Sequence, residues 1–261
     1  MSQLAADLDR MLEQAPGSWG VALIDRGGAL RYGWREHEIL PSASLIKFPL
    51  AWQCLELAAD GVLDLELAYP LRPDDICDQD GSLAALAAGA AVPWRELLRV
   101  MISESENNAT NIVLHLVGMQ AANEWLAARG WAATRWRRRM LDFAARQEGR
   151  DNTASAYELA AMFHSFGAAL GGAGSALEPL RQWLLAAGRD QKLDAGLPPG
   201  TPLAHKTGDL PGGVEHDAGL VYRPGGGWYA LAVMADQAPV AMRARRLIGE
   251  ISRRCWDEPG G

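Results

Sequence analysis

Pro41-Ser42-Ala43-Ser44-Leu45-Ile46-Lys47-Phe48-Pro49-Leu50-Ala51-Trp52-Gln53-Cys54-Leu55 marks the point where the chain changes from strand to helix. Upstream, Val21-Ala22-Leu23-Ile24 and Ala29-Leu30-Arg31-Tyr32-Gly33-Trp34 flank Arg26-Gly27-Gly28, the pattern of a hairpin turning over Asp25 to Gly28. After Pro41 the apolar residues Leu45, Phe48, Trp52 and Leu55 recur at three- and four-residue spacing, which predicts a helix despite Pro49 and puts Ser44 at its start.

Helical signals then continue to about Gly188. Pro93 opens a segment through Ile102, Ala109 to Val117 stops before Gly118, and Ala121 to Arg129 stops before Gly130. Ser155-Ala156-Tyr157-Glu158 has the form of a capping box for a helix to Gly167, and Glu178 to Ala187 gives another. Beyond Gly200 the period returns to two. Leu203 to Thr207, Ala218 to Tyr222 and Trp228 to Met234 read as strands, and Val240 to Cys255 closes the chain as an amphipathic helix. The expected organisation is one α/β (α+β) domain over 1–261. A strand-rich lobe from 1–42 plus 200–261 holds an antiparallel sheet flanked by helices, and an all-helical lobe, 43–199, is inserted into it. A cleft between the lobes would collect the motifs at their seams. Gly171 to Gly174 reads as a loop and Gly225 to Gly227 as a hairpin turn.

Composition narrows the function. The 261 residues are 49% hydrophobic and 22% charged, an ordinary globular balance, and the net charge of −7 disfavours a nucleic-acid partner. No apolar stretch approaches the roughly 20 residues that span a bilayer, and the first ten residues lack a signal peptide's apolar centre. The expectation is a cytoplasmic protein acting on a small molecule, without membrane or cofactor, and a periplasmic or secreted one if a leader has been removed. Cys54, Cys77 and Cys255 have no metal spacing and suit free buried thiols.

Three short motifs carry the chemistry: Ser44-Leu45-Ile46-Lys47, Ser105-Glu106-Asn107 and His205-Lys206-Thr207-Gly208. A serine hydroxyl is a poor nucleophile until a base takes its proton, and a lysine three residues later on a helix lies on the same face. This trio reads as a serine acyl-transfer site. Lys47 is the expected base, activated by partial burial and a neighbouring cation.

In these motifs, in Met101 to Asn111 and in Asp217-Ala218-Gly219 the chain resembles the penicillin-recognising serine hydrolases, in particular the class A β-lactamase-like branch with its β-lactamase/transpeptidase fold. The resemblance spans nearly the whole chain. It implies catalytic roles for Ser44, Lys47, Ser105 and Lys206, with Ser105 relaying a proton to the leaving group. It also implies that Asn107 binds the amide arm of the substrate, that Lys206 and Thr207 hold a substrate carboxylate, and that Gly208 admits close approach. The backbone amides of Ser44 and Asp209 would form the oxyanion hole.

Two departures stand out. Glu106 replaces the family's usual Asp, and no Glu-x-x-Leu-Asn motif is present to position a deacylating water. Counting back from Arg150-Asp151-Asn152-Thr153 sets Arg138 at the glutamate position and Asp142 at the asparagine, and a guanidinium is no base at neutral pH. Asp142, Glu148 or Lys47 would then activate the water, or another nucleophile would accept the acyl group. The expected activity is a serine amidase, peptidase or esterase with weak or no β-lactamase turnover. The alternatives are a true β-lactamase with another base and a non-hydrolytic acyl-transferase or binding protein. His205 and His216 read as supports of the strand, Arg137 to Arg139 as a solvated loop face, and the ten tryptophans as core anchors.

Overall fold

The computed structural model describes residues 2–171 and 174–258. The helices are α1 (Gln3–Glu13), α2 (Lys47–Ala59), α3 (Trp94–Ser103), α4 (Asn107–Val117), α5 (Met119–Ala128), α6 (Phe143–Gln147), α7 (Ala156–Ala169), α8 (Glu178–Leu185) and α9 (Ala241–Asp257). The strands are β1 (Ser18–Asp25), β2 (Leu30–Trp34), β3 (Leu40–Pro41), β4 (Ala68–Pro70), β5 (Ala91–Pro93), β6 (Thr153–Ala154), β7 (Leu203–Leu210), β8 (Val214–Tyr222) and β9 (Trp228–Asp236). They divide into two compact units. One comprises residues 1–45, 153–173 and 189–261, the other residues 46–152 and 174–188.

The first unit is built on an antiparallel sheet in the order β2-β1-β9-β8-β7. Leu220 and Trp228 face Gly167 of α7, whereas their chain neighbours Val221 and Tyr229 share a core with Leu4, Leu8 and Leu12 of α1 and Ile248 and Ile251 of α9. Successive strand residues point to opposite faces, so α7 covers one side and α1 and α9 the other. Coverage on both sides explains why β8 and β9 are buried almost from end to end rather than alternating. It also explains why the period-two reading finds only part of β8.

α7 lies in this unit although the sequence reading puts it in the helical lobe. Its small residues allow close packing on the sheet: a Cβ on Gly20 of β1 would lie 3.4 Å from Ala156, and one on Gly167 would lie 3.0 Å from Leu220 and Trp228. Gly225 and Gly226, both with positive φ, form the β8–β9 turn as expected. The expected loop Gly171 to Gly174 contains Gly172 and Ala173, which lie outside the described residues.

The second unit is helical apart from the β4–β5 ladder. Trp52, Trp125 and Trp131 cluster with ring centroids 5.6 to 5.8 Å apart. Cys54 and Cys255 are buried free thiols, while Cys77, expected to be buried, is exposed in a loop. Among the described residues no helix is long and apolar enough to cross a membrane.

The α3–α4 break in this unit turns on Glu106. Its side chain caps α4 by accepting from the Ala109 amide and also accepts from Asn108 Nδ2 at 2.8 Å. Asn108 Oδ1 in turn accepts from the amides of Cys77 and Asp78 at 2.9 and 2.8 Å. A Cβ on Gly81 would collide with Glu106 Oε1, so the longer carboxylate is housed against a residue without a side chain. Glu106→Ala is expected to destabilise the protein by about 1–2 kcal/mol, the size of a lost cap. Gly81→Ala should also destabilise it, with Glu106→Ala partly relieving that penalty in the double variant. Urea unfolding of the three variants measures both.

Candidate active site

In the first unit, Ser44 sits in a 3₁₀ turn, Ala43–Ile46, that runs directly into α2. From Ser42 to Leu50 every residue is buried except Ser44, which is half-buried and so is the residue of this segment most open to solvent. Ala43 adopts φ 46°, in the left-handed region. The segment leading into Ser44 is anchored by His216, whose Nε2 donates to Pro41 O at 2.6 Å while Nδ1 accepts from the Ala235 amide at 3.1 Å. Burial lowers the imidazole pKa to about 4, so the ring is neutral and its tautomer is fixed by these two bonds.

β7 is an edge strand of the sheet and carries the third motif. A Cβ on Gly208 would lie 3.0 Å from Ala43 Cβ and 3.1 Å from the Ser44 amide nitrogen. The glycine expected to admit substrate therefore admits the Ser44 turn, bringing that amide against the strand. Lys206 is 2% exposed and donates to Thr207 O at 3.0 Å. Burial lowers its pKa to about 8, against the opposing pull of Asp217, Asp190 and Asp209. Thr207 Oγ1 donates to Asp190 Oδ2 at 2.8 Å.

The Asp209 side chain belongs to a cluster. Lys192, fully buried, bonds Asp209, Glu215 Oε2 at 3.0 Å and His216 O at 3.2 Å, and Arg245 Nε pairs with Glu215 at 3.1 Å. Burial and the Asp209 hydrogen bond raise the Glu215 pKa. For Asp209, burial is outweighed by the hydrogen bond with Glu215 and the charge of Lys192, and its pKa falls. His205 Nδ1 lies 2.9 Å from the buried Asp217, which also accepts from the Leu193 amide at 3.0 Å.

In the second unit, Lys47 is the first residue of α2 and is fully buried, where partial burial was expected. Its Nζ donates to Ser105 O at 2.5 Å, Ser105 Oγ at 3.2 Å and Asn107 Oδ1 at 2.8 Å. Ser105 has φ 57°, a left-handed conformation that serine adopts only at a cost of order 1–3 kcal/mol. Asn107 Nδ2 donates to Asp78 Oδ2 at 2.8 Å. Lysine, serine and asparagine, 60 positions apart at the extremes, thus form one hydrogen-bonded group.

The loop before β6 is fastened by its own side chains. Arg138, expected on a solvated face, is buried and binds Asp151 through Nε at 2.8 Å and Nη2 at 2.7 Å, and Arg146 bonds the other oxygen of Asp151 at 2.9 Å. Asn111 brackets Met140, accepting from its amide at 2.7 Å and donating to its carbonyl at 3.1 Å. Asp142 is exposed and caps α6 through Oδ1, 3.0 Å from the Ala145 amide. Glu148 pairs with Arg150. Among the described residues no group of three or more His, Cys, Asp or Glu is placed to hold a metal.

Sequence reasoning missed Asp78, Asn108, Asn111, Asp190, Lys192 and Glu215. Asn108 and Asn111 left a signal: polar residues at three-residue spacing on an otherwise apolar helix, where a buried amide must find partners. Asp190 and Lys192 lie between α8 and β7 with no local pattern to mark them.

A profile of the beta-lactamase enzyme family (Beta-lactamase2) matches residues 3–258. A beta-lactamase of Streptomyces albus G is 29% identical over 258 residues, spanning 93% of this chain and 80% of that protein. Among solved structures, an ancestral (GNCA) class A beta-lactamase superposes with a TM-score of 0.88 at 26% identity, covering 98% of this chain and 99% of that one. A mutant of PBP-A, captured as an acyl-enzyme complex with penicillin G, superposes with a TM-score of 0.87 at 26% identity, covering 97% and 94%. Matched by the family profile from residue 3 to residue 258 and sharing the fold of these enzymes, the chain belongs to the beta-lactamase enzyme family, a family of serine hydrolases.

Proposed function

We propose that the protein is a serine amidase, peptidase or esterase that works through an acyl-enzyme on Ser44 and turns over β-lactams weakly or not at all. The observation that carries this reading is a buried Lys47, one helical turn after a half-buried serine, bonded to Ser105 Oγ at 3.2 Å. Once Lys47 has given up a proton, and with it one of the N–H bonds described above, its Nζ takes the proton of Ser44 Oγ as that oxygen attacks the carbonyl. Lys47 returns that proton through Ser105 to the leaving nitrogen or oxygen as the tetrahedral intermediate collapses. The Ser44 and Asp209 amides stabilise the oxyanion, each contributing roughly 3 kcal/mol. The Ser44 amide's closeness to β7 at Gly208 supports that pairing. Lys206 supplies positive charge beside the leaving group.

Deacylation is the slow step in this reading. Arg138 is held by Asp151 and Glu148 by Arg150. Asp142 spends Oδ1 on its cap, leaving Oδ2 as the carboxylate oxygen proposed to activate water.

Intact-mass measurements with penicillin G test the scheme. The protein should gain one acyl mass that persists for minutes or longer. Ser44→Ala should show none, and Lys47→Ala should acylate at least about 10²-fold more slowly. Asp142→Asn keeps an acceptor for the cap, so it should leave acylation unchanged and prolong the adduct about tenfold or more. Rapid turnover of a chromogenic cephalosporin would favour a true β-lactamase instead.

Two further outcomes follow from the strand. Gly208→Ala should displace the Ser44 turn by a few tenths of an ångström and lower the acylation rate about 10- to 100-fold, with unfolding little changed. Loss of the Lys206 proton should slow acylation as pH rises through about 8. The sign for stability is opposite. The unfolded chain holds this proton up to its ordinary value near 10.5, so the folded state gains relative stability as pH rises from about 8 to 10.5. Lys206→Met should abolish that gain in urea titrations across the window.

A further inference from the structure

The expected task of Thr207, to help hold a substrate carboxylate, requires its hydroxyl to donate. A threonine hydroxyl has one hydrogen, and an ionised carboxylate only accepts. Thr207 Oγ1 lies 2.8 Å from Asp190 Oδ2, so that hydrogen is committed to Asp190 and the oxygen presents lone pairs to anything else that approaches. Residues two apart on a strand share a face. Thr207, half-buried, and Asp209, with 44% of its side chain exposed, therefore present acceptors side by side on β7.

The cations nearby do not reverse this. Lys192 spends its three protons on Asp209, Glu215 and His216 O. The Arg245 guanidinium is bonded to Glu215. Lys206 lies on the alternate side of the strand and has given one N–H bond to Thr207 O, so its ammonium still seeks an acceptor. A carboxylate offers only acceptors, so at Thr207 it would set its lone pairs against the hydroxyl oxygen and the charge of Asp190. A carboxamide offers an N–H there.

We propose that the leaving-group side of the substrate is recognised as an amide, through an N–H donated to Thr207, rather than as a free carboxylate, with Asp190 setting the polarity of the Thr207 hydroxyl. This rests on the acyl-enzyme reading above and narrows its substrate class. Asp190 is a specificity-determining residue that acts through Thr207.

The test compares Ser44 acylation rates, by intact mass, for penicillin G, its carboxamide and its methyl ester. The methyl ester is neutral but has no N–H, so it separates relief of charge from donation of a hydrogen bond. In the unaltered protein the carboxamide should react about tenfold faster than the ester. Asp190→Ala frees the Thr207 hydrogen and should lower the carboxamide-to-carboxylate ratio at least about tenfold; taking the ratio between variants cancels the intrinsic reactivity of each lactam. Adding Thr207→Val to Asp190→Ala should slow acylation by penicillin G at least several-fold relative to the single variant, because the carboxylate loses the donor it had gained.

A carboxamide no faster than the ester overturns the proposal without any variant. So does a ratio that Asp190→Ala leaves unchanged, and a double variant that is acylated by penicillin G as fast as the single variant assigns the effect to charge alone and overturns the role of the hydroxyl. If none of the three compounds forms a Ser44-dependent adduct, the acyl-enzyme reading itself fails, an outcome distinct from adducts formed with the wrong preference.

Discussion

A lysine with no exposed surface sets the terms for the helical unit. An ammonium withdrawn from water must be met by acceptors at short range or it costs several kcal/mol. Those that meet Lys47 include the carbonyl and the hydroxyl of Ser105 and the side-chain oxygen of Asn107. Presenting both the carbonyl and the hydroxyl of one residue to the same nitrogen fits the left-handed turn that Ser105 adopts between α3 and α4. With the chain turned at Ser105, α4 begins at Asn107 and Glu106 becomes its cap. The carboxylate then needs Gly81 beside it, and Asn108 ties the Cys77–Asp78 loop to the same helix end. Asp78 completes the circuit by fixing Asn107 so that its oxygen faces Lys47. The strain at Ser105 is thus held in place by bonds on several sides.

The strand unit solves a related problem with a network of ion pairs. Asp217 is fully buried and serves both His205 and the Leu193 amide. Ser252 of α9 takes the Leu193 carbonyl at 2.8 Å. These bonds pin the 3₁₀ turn at Leu193–Gly196, and with it the preceding residues that bring Asp190 to Thr207 and Lys192 to Asp209. A Cβ on Gly196 would strike the α9 backbone, which leaves glycine as the residue that fits there. The electrostatic character of β7 is therefore set by a segment remote in sequence and fixed by α9.

What the sequence disclosed follows the range of the forces involved. Helix ends such as Gly118 and the cap at Ser155 are local, and α4 and α7 begin or end there. The Ser44, Ser105 and Lys206 motifs stand out in the sequence as short runs whose residue types and order suit acyl transfer, the reading proposed above. Full burial of Lys47 was not legible, since a lysine in a first helical turn looks the same whether solvated or enclosed. The placement of α7 was also hidden: its apolar run suits either unit, and the choice rests on how closely Ala156 and Gly167 approach the sheet. The hydrogen-bond polarity of Thr207 depends on Asp190, 17 positions away, and no spacing rule connects the two.

The loop before β6 shows how a fold can commit the groups that a second catalytic step would need. A water-activating carboxylate must keep a lone pair free and retain enough basicity to take a proton. Asp151 has both oxygens bound by arginines, one of them the buried Arg138. Glu148 is paired in the exposed part of the loop and Asp142 is half spent as a cap. Asn111 adds two hydrogen bonds to the Met140 backbone of the same loop. Charge is used here to hold the loop's shape, whereas in the proposed scheme acylation depends on groups outside it. On that reading the arrangement would favour a long-lived acyl-enzyme, as suits a reaction whose acyl acceptor arrives with the substrate or slowly from solvent.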